Sequence, residues 1–301
     1  MTMSFLKPIA SAAVLVTMFF RAQAQNDIPQ YDHVIIVMEE NHAFHEIIGS
    51  GYAPYINHLA KDGVLLTNSH AIGHPSQPNY LVLFSGSTQG VTGDDCLEGK
   101  TPFNTPNLGA ALIDHNFTFR GYAQNMPKAG FLDCTAQSSS YTIGHLYARK
   151  HCPWVNWLGT GVNTIPLSCS LPMTDFPKDF SKLPTLAFVV PDMDNDMHNI
   201  GISGDSNAIR RGDAWLKANV AEYAEWAVKH NSLLIVTWDE DDSSGKNQNK
   251  IATIFYGAKL LGGKSDMPVT HYNVLHTLES MYGLPFTDNN NAPPIASIWG
   301  K

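Results

Sequence analysis

The sequence predicts an α/β fold with a mainly parallel central sheet and helices on both faces. Three observations carry the prediction. Apolar runs such as Val34-Ile35-Ile36-Val37-Met38 and Leu233-Leu234-Ile235-Val236 lack polar alternation, the pattern of strands buried on both faces. Helical stripes occur between such runs: Leu216, Val220, Tyr223 and Ala227 recur at spacings of 4, 3 and 4. Strand-like and helix-like segments alternate along most of the chain, as βαβ units require.

In order, Val34 to Met38 reads as the first buried strand, Tyr55 to Lys61 as a helix and Gly63 to Ser69 as a second strand. Pro78 to Ser85 and Pro106 to His115 read as short helices, followed by a strand from Phe117 to Tyr122. Thr185 to Val190 is a strand ended by Pro191. The amphipathic stripe follows, then strands at Ser232 to Trp238 and Ile251 to Tyr256. Leu275, Leu278 and Tyr282 mark a last helix stopped by Gly283. Gly86 to Leu183 is rich in Gly, Ser, Thr, Asn and Pro and holds all four cysteines, so much of it reads as a disulfide-tied insertion over the sheet edge.

Residues 1–24 have the pattern of an export signal: Lys7, a short apolar run from Pro8 to Phe20, and the cleavage motif Ala22-Gln23-Ala24. Residues 25–301 then form a single domain, expected outside the cytoplasm, secreted or periplasmic. No later stretch reaches the roughly 18 apolar residues of a membrane helix. A net charge of −8 argues against nucleic-acid partners and against docking on an anionic membrane. Cys96, Cys134, Cys152 and Cys169 are an even set behind a signal peptide, so two disulfides are expected. Of three connectivities, short loop closure favours Cys96–Cys134 with Cys152–Cys169. A zinc site is the rival, but no C-x-x-C spacing supports it.

Two strands far apart in the chain end in carboxylates. Glu40-Asn41 follows the first, and Asp239-Glu240 follows Ser232 to Trp238. The C-terminal edge of an open α/β sheet is where ligands bind, and converging acidic oxygens there point to a hard cation and hence an anionic substrate. Ser76, in His74-Pro75-Ser76-Gln77-Pro78, falls at a strand-to-helix junction, where free N–H groups favour an alkoxide or a phosphate. A simple helix cap is the alternative. Asp192, Asp194 and Asp196 alternate ahead of His198, without the Gly and terminal Glu of an EF-hand loop. His271 opens the last helix, where the dipole disfavours an imidazolium.

Together these segments resemble the phosphoesterase family that contains secreted acid phosphatases and phospholipases C, within the alkaline-phosphatase-like superfamily. The matching blocks are Val34 to Phe44, His74 to Leu81, Pro191 to Asn199, Thr237 to Asp241 and Thr270 to Leu275. The resemblance implies that Glu40, Asn41, Asp239 and Glu240 hold one divalent metal ion. Oxygen-rich ligands leave Mg, Ca, Mn or Zn open. It implies that Ser76 is the nucleophile and that His74, His198 and His271 lie near the phosphate. The expected activity is a metal-dependent phosphomonoesterase acting on a small phosphate ester through a phosphoserine intermediate, most active at roughly pH 5 to 6.5 if protonated histidines assist. One departure, His42-Ala43-Phe44-His45 in place of the Arg-Ser-Phe-Asp of phospholipase-like members, favours the compact phosphatase branch. The rivals are a phospholipase C or other phosphodiesterase, with Trp154 to Leu158 as its apolar patch, and a secreted binding protein that has lost catalysis. The sequence leaves oligomeric state open.

Overall fold

The computed structural model describes residues 28–300; the expected signal peptide, residues 1–24, lies outside the described residues. Among them the strands are β1 (His33–Glu39), β2 (Val64–His70), β3 (Phe119–Ala123), β4 (Thr135–Ser138), β5 (His145–Ala148), β6 (Ser170–Pro172), β7 (Leu186–Val190), β8 (Ser232–Trp238), β9 (Lys250–Gly257) and β10 (Gly263–Ser265). The α-helices are α1 (Phe44–Ile47), α2 (Pro54–Asp62), α3 (Ser76–Ser85), α4 (Leu108–Asp114), α5 (Asp205–Lys229) and α6 (His271–Met281).

Eight strands form one sheet in the order β10-β2-β9-β8-β1-β7-β3-β6, and only β9 runs against the others. The expected mainly parallel sheet is therefore present. Alternate side chains of β1 enter two cores. Val34, Ile36 and Met38 pack with residues of α3, α4 and α6. Ile35 and Val37 pack with α2 and α5. β8 is buried along its whole length, which is why its sequence is an unbroken apolar run.

Three local differences from the sequence reading have physical causes. Helix α3 starts at Ser76 rather than Pro78, because Pro78 sits in the first turn, where a missing N–H costs no hydrogen bond. Helix α5 starts well before its apolar stripe. Its early turns include Gly212, where an added Cβ would lie 2.5 Å from Met197 Cε, so the loop after β7 can press against the helix. In the segment from Gly86 to Leu183 the expected strand is present as β3, and the segment also supplies β6 to the main sheet and the β4–β5 hairpin beside it, which local pattern did not mark.

The Cys96–Cys134 disulfide is present. The Cys152–Cys169 disulfide is not: both are free, buried thiols. They pack in different settings. Cys169 Sγ accepts from Arg120 Nη1 at 3.3 Å, whereas burial raises the Cys152 thiol, with Tyr147 and Arg149 beside it opposing the shift.

Candidate active site

Parallel pairing of β1 with β8 sets Glu39 opposite Trp238, and the next residues after both strands, Glu40 and Asp239, leave the sheet side by side. The ladder continues one step, with Asp239 N–H donating to Glu39 O at 3.1 Å. Asn41 turns the chain with φ +53°, a conformation Asn tolerates, and its N–H donates to Asp239 Oδ1 at 3.1 Å. These bonds lock the two strand ends together.

Helix α3 faces the same point. Ser76 Oγ donates to Glu40 Oε2 at 3.1 Å, and Tyr80 OH donates to Glu40 Oε1 at 2.5 Å. Ser76 and Tyr80 are one turn apart on a single helix face, so each grips one carboxylate oxygen. Ser76 is not the helix cap; Pro75 occupies that position. Asn79 Nδ2, on the same helix, donates to Glu240 Oε2 at 3.3 Å.

The predicted histidines occupy different places. His74 is half-exposed, with Nδ1 2.9 Å from Glu240 Oε2 and Nε2 3.3 Å from Asp241 Oδ1. His271 is buried at the start of α6, with Nε2 3.0 Å from Trp238 O, directly behind Asp239. His198 forms part of the wall of a cavity. A fourth histidine was missed in the sequence. His151 lies between Glu40 Oε1 at 3.1 Å and Asp196 Oδ2 at 3.2 Å, stacked on the Tyr80 ring. It comes from a one-turn 3-10 helix, Arg149–His151, directly after β5, too short for a periodicity to flag it. The alternating aspartates divide by role: Asp192 and Asp194 tie loops through Asn125, Ser139 and Asn199, and Asp196 turns to His151.

Burial dominates the electrostatics. It pushes the Glu40 carboxyl up to about 8, with the Lys150 ammonium opposing, and the Glu240 carboxyl up to about 9, with Asp239 adding to the shift. Asp239 and Asp196 are raised well above the carboxylate range by burial and by Glu40. His198 and His271 are lowered to about 4 by burial, and burial also holds His151 well below its ordinary range. Burial thus disfavours the charged form of His198 and His271, two of the three histidines expected to assist when protonated.

This donor set fits a hard divalent cation. Four carboxylates near the strand ends, Glu40, Asp196, Asp239 and Glu240, are almost fully buried. The Asn41 carboxamide faces the same oxygens: with its NH2 turned toward them it donates to Glu40 Oε2 at 2.9 Å and to Asp239 Oδ1 at 3.3 Å, and a cation between them would be met by the amide oxygen instead. Glu40, His151 and Asp196 also bring one donor atom each within 4.8 Å of one another. The two groups share Glu40. A cation there would reverse the carboxylate shifts.

A cavity of about 650 Å³ is lined in part by Gln77, the residue after Ser76, and by Lys150, the residue before His151. Leu97, Ile143, Met193 and Ile200 give it apolar walls, and Gln77, Lys150 and His198 line its polar part. The apolar patch expected from Trp154 to Leu158 is elsewhere. Trp154 and Trp157 are fully buried, and Trp154 covers Gly121, where an added Cβ would lie 2.0 Å from its ring.

A model of the Phosphoesterase family matches residues 50–285. Phosphatidylinositol-3-phosphatase of Mycobacterium tuberculosis is 45% identical over 92% of this chain and 86% of its own length. Acid phosphatase of Aspergillus fumigatus is 32% identical over 75% of this chain, which spans only 50% of that relative. In shape, the chain is similar to an alkaline phosphatase superfamily protein from Vibrio parahaemolyticus, with a TM-score of 0.59 at 13% identity over 89% of this chain and 71% of that one. It is also similar to the lipoteichoic acid synthase LtaP of Listeria monocytogenes, with a TM-score of 0.55 at 9% identity over 90% and 75%. The strand-end carboxylates, the serine at the helix start and these likenesses have one conclusion: the chain belongs to the phosphoesterase family, hydrolases of phosphoric ester bonds.

Proposed function

We propose that this protein is an exported phosphomonoesterase of the acid phosphatase type that uses Ser76 as its nucleophile. The observation that carries the reading is the position of Ser76 Oγ, at the start of α3 and 3.1 Å from Glu40 Oε2, beside the paired strand ends. A divalent cation held by Glu40, Asn41, Asp239 and Glu240 would supply a lowered pKa at the Ser76 hydroxyl and positive charge against the phosphate oxygens.

The chain's own groups do the rest. Glu40 holds the Ser76 hydroxyl on a fixed rotamer, and Tyr80 and His151 hold Glu40. Ser76 Oγ attacks phosphorus in line as the ester oxygen departs, forming a phosphoserine. Water then displaces the serine and releases phosphate. Lys150 contributes fixed positive charge to an otherwise acidic site, because Asp94 and Glu40 keep its ammonium protonated against the effect of burial. Extracytoplasmic location is supported by the signal pattern of residues 1–24 and by the Cys96–Cys134 disulfide.

The apolar cavity wall favours esters with an apolar alcohol part, which makes a lipid phosphate monoester a second reading. The likeness to the mycobacterial phosphatidylinositol-3-phosphatase is in keeping with it. Hydrolysis of p-nitrophenyl phosphate, bis-p-nitrophenyl phosphate, phosphatidylcholine and a phosphoinositide monoester tests all of these. The monoester reading expects turnover of the first and last. Preferential cleavage of the diester or of phosphatidylcholine would replace it with a phosphodiesterase, and no turnover of any would leave a binding protein.

A further inference from the structure

The loop between α3 and α4 brings Asp94 back to the start of α3. Asp94 Oδ1 accepts from the Gln77 N–H at 2.9 Å, and Asp94 Oδ2 is 2.6 Å from Lys150 Nζ. Gln77 is the residue after Ser76. Lys150 precedes His151, which touches Glu40. Asp94, Gln77, Lys150 and His198 all line the cavity. A carboxylate therefore bridges a helix-start amide and an ammonium next to the nucleophile. Two oxygens of a phosphate monoester have the same spacing of charge and the same need for donors.

Asp94 is poorly suited to a purely structural task here. Its side chain is 31% exposed, and partly exposed ion pairs are weak and exchangeable. It also places a negative charge on the wall of the cavity that an anion must enter. A dianionic phosphate competes well for the same two donors.

We propose that Asp94 is an internal stand-in for substrate phosphate, holding the Gln77 amide and the Lys150 ammonium in place and leaving them when a phosphate monoester enters. Lys150 is then the side chain that takes a non-bridging phosphate oxygen. The inference rests on the phosphatase reading for its substrate, but its test does not depend on turnover.

The experiment is calorimetric titration of the full-length, metal-loaded protein with inorganic phosphate, with p-nitrophenyl phosphate kinetics run in parallel. Asp94→Asn keeps an acceptor for Gln77 and removes the competing charge. It is expected to tighten phosphate binding by about threefold or more and to lower KM. Lys150→Met is expected to weaken both by about tenfold or more, and Lys150→Arg to retain most of the affinity. If Asp94→Asn weakens phosphate binding as Lys150→Met does, Asp94 merely positions the lysine and the proposal fails. Unchanged binding in both variants also overturns it. If the wild-type protein hydrolyses no monoester, the phosphatase reading fails, and the phosphate titrations still decide the role of Asp94.

Discussion

Ser76 Oγ donates to Glu40 Oε2 at 3.1 Å although 36 residues separate them in the chain. The contact joins the end of the central strand to the start of a helix buried along nearly its whole length. Tyr80, one turn further on, holds the other oxygen of the same carboxylate. The proposed nucleophile and the centre of the proposed cation site are thus fixed to each other by rigid elements rather than by loops.

The cation site has a direct analytical consequence. Purified wild-type protein is expected to contain a divalent ion by elemental analysis, and Asp239→Asn to lose it. Asp239 is fully buried and accepts the Asn41 N–H, so the amide variant keeps the shape while removing the charge. Full occupancy in Asp239→Asn, together with full activity after exhaustive chelation, would count against the ligand assignment.

Stability against pH follows from the same carboxylates. Glu40 and Glu240 titrate at about 8 and about 9 when folded, against an ordinary value of 4.5. Between those limits the folded protein binds more protons than the unfolded chain, so stability falls as pH rises. His198 acts on the acid side: lowered from 6.5 to about 4, it costs stability as pH falls through that range. Chelated protein should therefore lose melting temperature from about pH 6.5 to pH 9, and saturating divalent cation should flatten the slope. A chelated protein that gains stability over that range would contradict the charge balance derived for the site.

The cysteines give a simple count. Denatured, unreduced protein should release two thiols, Cys152 and Cys169. In the native state both should react slowly at neutral pH, because burial raises their thiol pKa values. Finding no thiols would restore the second disulfide, and finding four would remove the first.

The sheet, its parallel sense and the strand-end carboxylates were legible because they rest on local pattern. An apolar run ending in Glu40 or Asp239 carries its meaning in a few adjacent residues. Ser76 was legible for the same reason, as a junction between a strand and a helix. His151, Lys150 and Asp94 were not. They lie in a one-turn 3-10 helix and a loop, and they reach the site only through tertiary contacts with Glu40 and with the start of α3. The Cys152–Cys169 pairing failed on related grounds, since nearness in sequence does not bring the two thiols into contact. The charge state of His198 and His271 depends on burial, and burial of a single imidazole has no period to read.

The central claim is that Ser76 becomes phosphorylated during turnover. The most direct measurement is acid quench of the metal-loaded protein during hydrolysis of p-nitrophenyl phosphate, followed by peptide mass spectrometry, with Ser76→Ala in parallel. A phosphopeptide containing Ser76 is expected in the wild-type protein. Ser76→Ala should lack it, keep its fold and lose activity by about 10³-fold or more. Unphosphorylated Ser76 in the quenched wild type, together with near-normal turnover by Ser76→Ala, would contradict the account.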